Sequence, residues 1–217
     1  MGKRPLVNRV GTDRETEGCA VPTGVAIRDV REQLFDAAER VLFRDGPSGL
    51  TSRAVTTEAN CAKGVMHRHF EDFDAFLAEF VLDRIDRMAP QAAALRDAAG
   101  TGTVAGNLTD ALTALFESVA VAIVALVTFR DELRARLRET WPAGVPVLTE
   151  AAVMIASYLT AERELGRIAA DADADMLAPM LIGTGHLLFA DRKGSPPEAG
   201  AVLRMVTAVI AGVVQAP

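Results

Sequence analysis

A chain of 217 residues, with 50% hydrophobic and 5% aromatic side chains, can bury a substantial core as one large domain or as a small domain joined to a larger one. Ala, Leu, Val, Arg, Glu and Asp dominate, a mix that favours packed helices over alternating strands. Two cysteines, Cys19 and Cys61, exclude a disulfide framework, and a formal net charge of −6 excludes attachment to nucleic acid by bulk charge alone.

Residues 1–25 mix charges with Gly, Pro and Thr without a period, which predicts a disordered arm. Lys3, Arg4 and Arg9 in it are either idle or brush a minor groove. The arm lacks the apolar centre of a secretory signal, and Leu6 breaks a myristoylation pattern; with the cysteine usage this predicts a cytoplasmic protein.

A first helix is predicted from Arg28 to Asp45, where Val30, Leu34, Ala37, Ala38, Val41 and Leu42 recur at three- and four-residue spacing. Gly46-Pro47-Ser48-Gly49 ends it. Thr51 stands where an N-cap belongs, and Ala54, Val55 and Ala59 give a short second helix its inner face. The turn Asn60-Cys61-Ala62 follows, with Asn60 able to take a left-handed backbone.

Lys63 to Phe70 reads as a third helix: Met66 and Phe70 face inward, while Lys63, Val65, His67 and Arg68 face solvent. Two short helices joined by a tight turn after a longer amphipathic one form a helix-turn-helix, whose last helix can enter a major groove. The local charge fits: from Thr51 to Phe70, Arg53, Lys63 and Arg68 oppose only Glu58. These side chains are long enough to reach phosphates and base edges.

A fourth helix is predicted from the stripe Phe73, Phe76, Leu77, Phe80, Val81, Ile85 and Met88, kinked at Pro90 and resuming to Ala99. The small head, residues 26–87, is expected to end inside it near Arg87, and residues 88–217 to form the larger domain. Further helices are expected over Asn107–Leu126, Thr128–Glu139, Val147–Arg167, Asp173–Asp191 and Pro197–Val214, about nine in all. The most apolar window, Val119–Phe129, is too short to span a bilayer and reads as a buried helix.

The pattern Ala37-Ala38, Leu42-Phe43, Gly46, Thr51, Ala59 through Lys63-Gly64-Val65-Met66-His67-Arg68-His69-Phe70, then Phe76-Leu77, resembles the head of a TetR-family (tetracycline-repressor-like) transcriptional regulator. The resemblance covers about fifty residues; beyond Pro90 it extends only to length and helical character. It implies an all-α homodimer with a helix-turn-helix head and a larger domain that binds a small apolar or amphipathic effector. The implied function is ligand-responsive regulation, most often repression, on a palindromic operator.

By the same resemblance, DNA contacts fall on Thr51, Ser52 and Arg53 and on Lys63, Gly64, Val65, His67, Arg68 and His69. Dimerisation falls on Asp173–Asp191 and Pro197–Val214, where Ala178, Gly183, Gly185 and Ala190, with Ala199, Ala201, Ala208 and Ala211, permit close approach. Three positions depart from the family pattern: His67 stands where Tyr is usual, Phe73 where a cation is usual, and Ala62 where a capping Ser is usual. They motivate an alternative, a helical small-molecule or protein-binding dimer whose head has lost DNA binding.

Phe116, Phe129, Trp141, Met154, Tyr158, Met180 and His186 are candidate effector-pocket residues, since pockets combine apolar walls with a few polar tips. His67 and His69, two apart, point in different directions on a helix and predict no metal site. Cys61 reads as a small buried hydrophobe or, less simply, an oxidant sensor. There is no nucleophile elbow, Walker-type loop or metal spacing, so neither catalysis nor a cofactor is expected.

Overall fold

The computed structural model describes residues 25–142, 144–190 and 197–215, among which eleven helices form an all-α fold. The expected arm, including Cys19, lies outside the described residues. The helices are α1 Val25–Gly49, α2 Ser52–Glu58, α3 Val65–His69, α4 Phe73–Asp86, α5 Ala89–Asp97, α6 Val104–Glu117, α7 Ala120–Phe129, α8 Asp131–Thr140, α9 Pro146–Glu164, α10 Ala174–Phe189 and α11 Ala201–Ile210. The only β pairing among the described residues is an isolated bridge between Ile168 and Val214.

Local chemistry sets the early boundaries. Gly46 adopts φ 70°, so the regular part of α1 breaks where the Gly-Pro signal falls. The Thr51 hydroxyl accepts from Ala54 N at 3.1 Å, capping α2. Asn60 has φ 52°, the left-handed conformation the corner demands. Asp72 caps α4 by accepting from Ala75 N at 2.7 Å.

Two expected helices divide, which raises the count from about nine to eleven. The fourth stops at Asp86 and restarts as α5 with Pro90 in its first turn; proline offers no N–H to the carbonyl four residues back. The fifth begins earlier than expected because Thr103 caps it, accepting from Gly106 N at 3.0 Å. It then breaks at Ser118, whose hydroxyl accepts from Ala120 N at 3.2 Å, and α7 departs from α6 at 54°. Periodicity alone passed through this corner because both segments are apolar.

A single core runs through the molecule. Among α1–α4, Leu34, Val41, Val55, Met66 and Phe80 are buried around an aromatic cluster in which Phe35, Phe70 and Phe76 have ring centroids 5.0–5.9 Å apart. That geometry adds about 0.5–1.5 kcal/mol per pair beyond area burial.

Charge ties α4 to α1 as well. Buried Arg84 on α4 lies 2.9 Å from Asp36 and 2.5 Å from Glu39, both on α1, with its guanidinium 5.1 Å from the Phe80 ring centre. Arg87 reaches Glu32 and Asp36.

Beyond Met88, α9 and α10 pack side by side, α6 crosses α10 and α11, and the short C-terminal segment returns to α9, with Gln215 N donating to Arg167 O at 3.0 Å. No single helix among the described residues is long and apolar enough to cross a membrane.

Candidate nucleic-acid interface

The candidate reading unit is α2, the Asn60–Gly64 turn and α3. Its inner side is fixed by packing: Val55, Thr56, Ala59, Met66 and Phe70 are buried. Two residues of α1, neither evident from sequence, hold its helix ends. Gln33 Nε2 donates to Ala59 O at 2.7 Å, and Arg31 donates to His69 O at 3.1 Å while stacking 4.5 Å over the Phe70 ring. A cation at the C-terminal carbonyls of α3 complements the helix dipole.

The outer side carries Thr51, Arg53, Lys63, Gly64, His67 and Arg68, all exposed, with Ser52, Val65 and His69 half-buried beside them. Regular α3 spans only Val65–His69, shorter than expected, so Lys63 and Gly64 lie in the turn before it. His67 and His69 diverge, one exposed and the other turned toward the Phe70 ring.

Glu58, the single carboxylate of the unit, is engaged from behind by α1. Arg40 Nε and Arg44 Nη1 approach it at 2.8 and 2.9 Å, and these hydrogen bonds, Arg40 first, hold its carboxyl below the usual range. Arg53, Lys63 and Arg68 have no carboxylate partner within 4.0 Å among the described residues. The outer face is therefore cationic in fact as well as in count.

The departures have structural counterparts. Phe73 stacks on Phe76 at 5.6 Å and lies under the Arg130 guanidinium at 5.2 Å, so an apolar ring serves the core and a cation from the α7–α8 corner covers it. Arg130 also pairs with Asp74 at 2.5 Å, and Arg136 of α8 pairs with Asp72 and Glu71. The α7–α8 corner and α8 thus grip the α3–α4 junction directly. Cys61 is half-buried, with Sγ 3.4 Å from Ala59 O, and exposed Ala62 contributes its carbonyl to Val65 N.

The seven candidate pocket residues do not converge. Phe129 is 85% exposed, Met180 is 51% exposed on α10, and Trp141 is half-buried at the end of α8. Phe116 packs on Phe189 at 5.5 Å and close to Gly185, where an added Cβ would stand 2.6 Å from the ring. His186 lies beside it, ring centres 6.1 Å apart, with Nδ1 enclosed and unbonded. Tyr158 is fully buried and lies behind the pocket wall, its hydroxyl accepting from Asn107.

Met154 alone lines the cleft between α5, α6 and α9, which has a volume of about 270 Å³. Its walls are built largely from Ala94, Ala98, Ala111 and Ala114, a signal that a search for large aromatics passes over. A hollow forms where side chains are too small to fill the space between helices.

Solved structures with the same arrangement of helices are numerous. Reduced NemR of E. coli superposes with a TM-score of 0.65 at 16% identity over 87% of this chain and 99% of that one. This is the fold of the TetR-family regulators. A TetR-family regulator from Rhodococcus sp. gives 0.64 at 17% identity, covering 87% of this chain and all of its own. FadR of Bacillus subtilis, solved with stearoyl-CoA, gives 0.56 at 17% identity over 83% and 95% of the two chains. No protein-family model and no curated protein sequence matches the chain.

Proposed function

We propose that this protein is a DNA-binding transcriptional regulator of the TetR type, a cytoplasmic, ligand-responsive homodimer that binds a palindromic operator, most plainly as a repressor. One observation carries the reading: Arg53, Lys63, His67 and Arg68 are exposed on a unit whose one carboxylate, Glu58, is already paired with Arg40 and Arg44 of α1. In this reading Lys63, His67 and Arg68 touch bases or phosphates, and Thr51 to Arg53 seat the head on the backbone. Gly64 and Val65 allow close approach, and His69 supports the end of α3. The head is assigned to residues 26–87, and effector binding and pairing to residues 88–217.

Pairing is assigned to α10 and α11. On α10 the exposed positions Met176, Met180, Gly183, Thr184 and Leu187 follow a helical stripe, and Leu203 is exposed on α11. Of the small residues, Ala178 and Gly185 serve the interior, while Gly183, Ala199, Ala208 and Ala211 are exposed and suit close approach of a second copy. Two heads so joined must match half-sites about 34–36 Å apart, so a modest tilt of α4 changes the register. The stearoyl-CoA complex of the B. subtilis neighbour supports a small-molecule signal for this architecture.

The test is a gel shift with DNA upstream of the protein's own gene. Lys63→Ala and Arg68→Ala should each weaken binding and reduce the dependence of log K on log salt by about 0.9 for each phosphate no longer neutralised. Indifference to both substitutions refutes the assigned face, and absence of any salt-sensitive binding favours the reading in which the head has lost function.

A further inference from the structure

The polar character of the cleft between α5, α6 and α9 rests on few residues. Asp110 and Asn107 stand one turn apart on α6, opposite Gln91 on α5, while Leu95 supplies apolar wall. Asp110 has no cationic partner within 4.0 Å among the described residues, and none of the lining residues is basic. The cleft therefore presents one uncompensated carboxylate over an alanine-rich apolar surface.

Asn107 offers a ligand no donor. Its amide nitrogen donates to Ala98 O at 3.2 Å, Thr101 O at 3.0 Å and Tyr158 Oη at 3.0 Å. Two of these partners are backbone carbonyls, which only accept, so the nitrogen must face them and only the side-chain carbonyl is left as bonding capacity. Asn107 Oδ1 lies beside Gly102, so Asn107 brings no donor to the cleft and Asp110 supplies its charge. A bound carboxylate or phosphate would meet repulsion and no donor except Gln91; a bound ammonium would meet an opposite charge.

Size narrows the class. At about 270 Å³ the cleft lies below the usual range for drug-sized ligands, about 300–1,000 Å³. We infer that the cleft binds a compact apolar cation, an amine carrying one small aromatic or branched aliphatic group, and disfavours anionic effectors. The inference rests on the ligand-responsive reading above and names the chemical class of its signal. The acidic balance of the chain favours approach of such a cation.

Isothermal calorimetry of the full-length protein tests this with three probes of one shape: phenethylammonium, 2-phenylethanol and 3-phenylpropionate. The cation should bind tightest and the anion weakest. Asp110→Asn, at an exposed position, should cost the cation about two- to fivefold in affinity, the weight of a solvent-exposed ion pair, and leave the alcohol unchanged. Ala114→Leu should block both. Equal affinity for cation and anion, no effect of Asp110→Asn, or no heat from the cation at millimolar concentration overturns the inference. Calorimetry needs no DNA, so a protein that binds the cation yet never shifts an operator overturns the regulatory reading and leaves the ligand class standing.

Discussion

Tyr158 is the single tyrosine of the chain, and its surroundings make it a spectroscopic reporter of folding. It is fully buried; its hydroxyl donates to Glu162 Oε1 at 2.5 Å and accepts from Asn107 at 3.0 Å. Glu162, also fully buried, is further held by Gly100 N and Arg167, and Arg167 donates to the carbonyls of Thr101 and Gly102. This knot pins the α5–α6 loop to the end of α9.

Tyr158→Phe removes a hydrogen bond to a charged group, about 1.5–3 kcal/mol, and a neutral one of about 0.5–1.5 kcal/mol, so a loss of about 2–4.5 kcal/mol is expected. Urea denaturation at one fixed protein concentration, followed by far-ultraviolet circular dichroism, reads it. Alkaline titration gives the second readout. Burial first, and then the hydrogen bond to Glu162, push the phenol above its ordinary value of 10.0.

The folded state therefore keeps a proton that the unfolded state releases above about pH 10, so stability falls as pH rises beyond that point. The phenolate absorbance band should stay silent above pH 10 while the helices persist and appear together with unfolding. Tyr158→Phe should lose this contribution to the alkaline slope. A phenol titrating near pH 10 with helicity intact, or a Tyr158→Phe cost under about 1 kcal/mol, refutes the buried knot.

Other substitutions give further expectations. Thr51→Ala removes the cap of α2 and should cost about 1 kcal/mol in the same urea assay, with operator affinity falling in step. Glu58→Gln removes the one negative charge of the α2–α3 unit and should tighten non-specific DNA binding at low salt, measured by fluorescence anisotropy. Met180→Glu combined with Leu187→Glu places charge on the exposed stripe of α10 and should yield a monomer in sedimentation equilibrium; an unchanged dimer moves the interface elsewhere.

Local chemistry made much of the head legible in advance. The Gly46 break, the Thr51 cap, the left-handed Asn60 and the inward pair Met66 and Phe70 each depend on near neighbours in sequence, and each appears where those neighbours demand. The outward cations could be named for the same reason: on a short helix, fixing the buried side fixes the exposed one.

The pairing partners could not. Arg40 and Arg44 on Glu58, Arg84 on Asp36 and Glu39, Arg130 under whose guanidinium Phe73 lies, and Asn107 on Tyr158 join residues from 14 to 57 positions apart, and no period encodes them.

By itself, then, the sequence determined an all-helical chain with a helix-turn-helix head, because caps, turns and apolar stripes act over one or two helical turns. Only the tertiary structure decided that α6 turns a corner at Ser118, that Phe129 faces solvent, and that the hollow between α5, α6 and α9 is walled by alanines with Asp110 at its edge. A cavity is a property of the space between helices, set by what several distant segments fail to fill, and that sum is written in no single stretch of the chain.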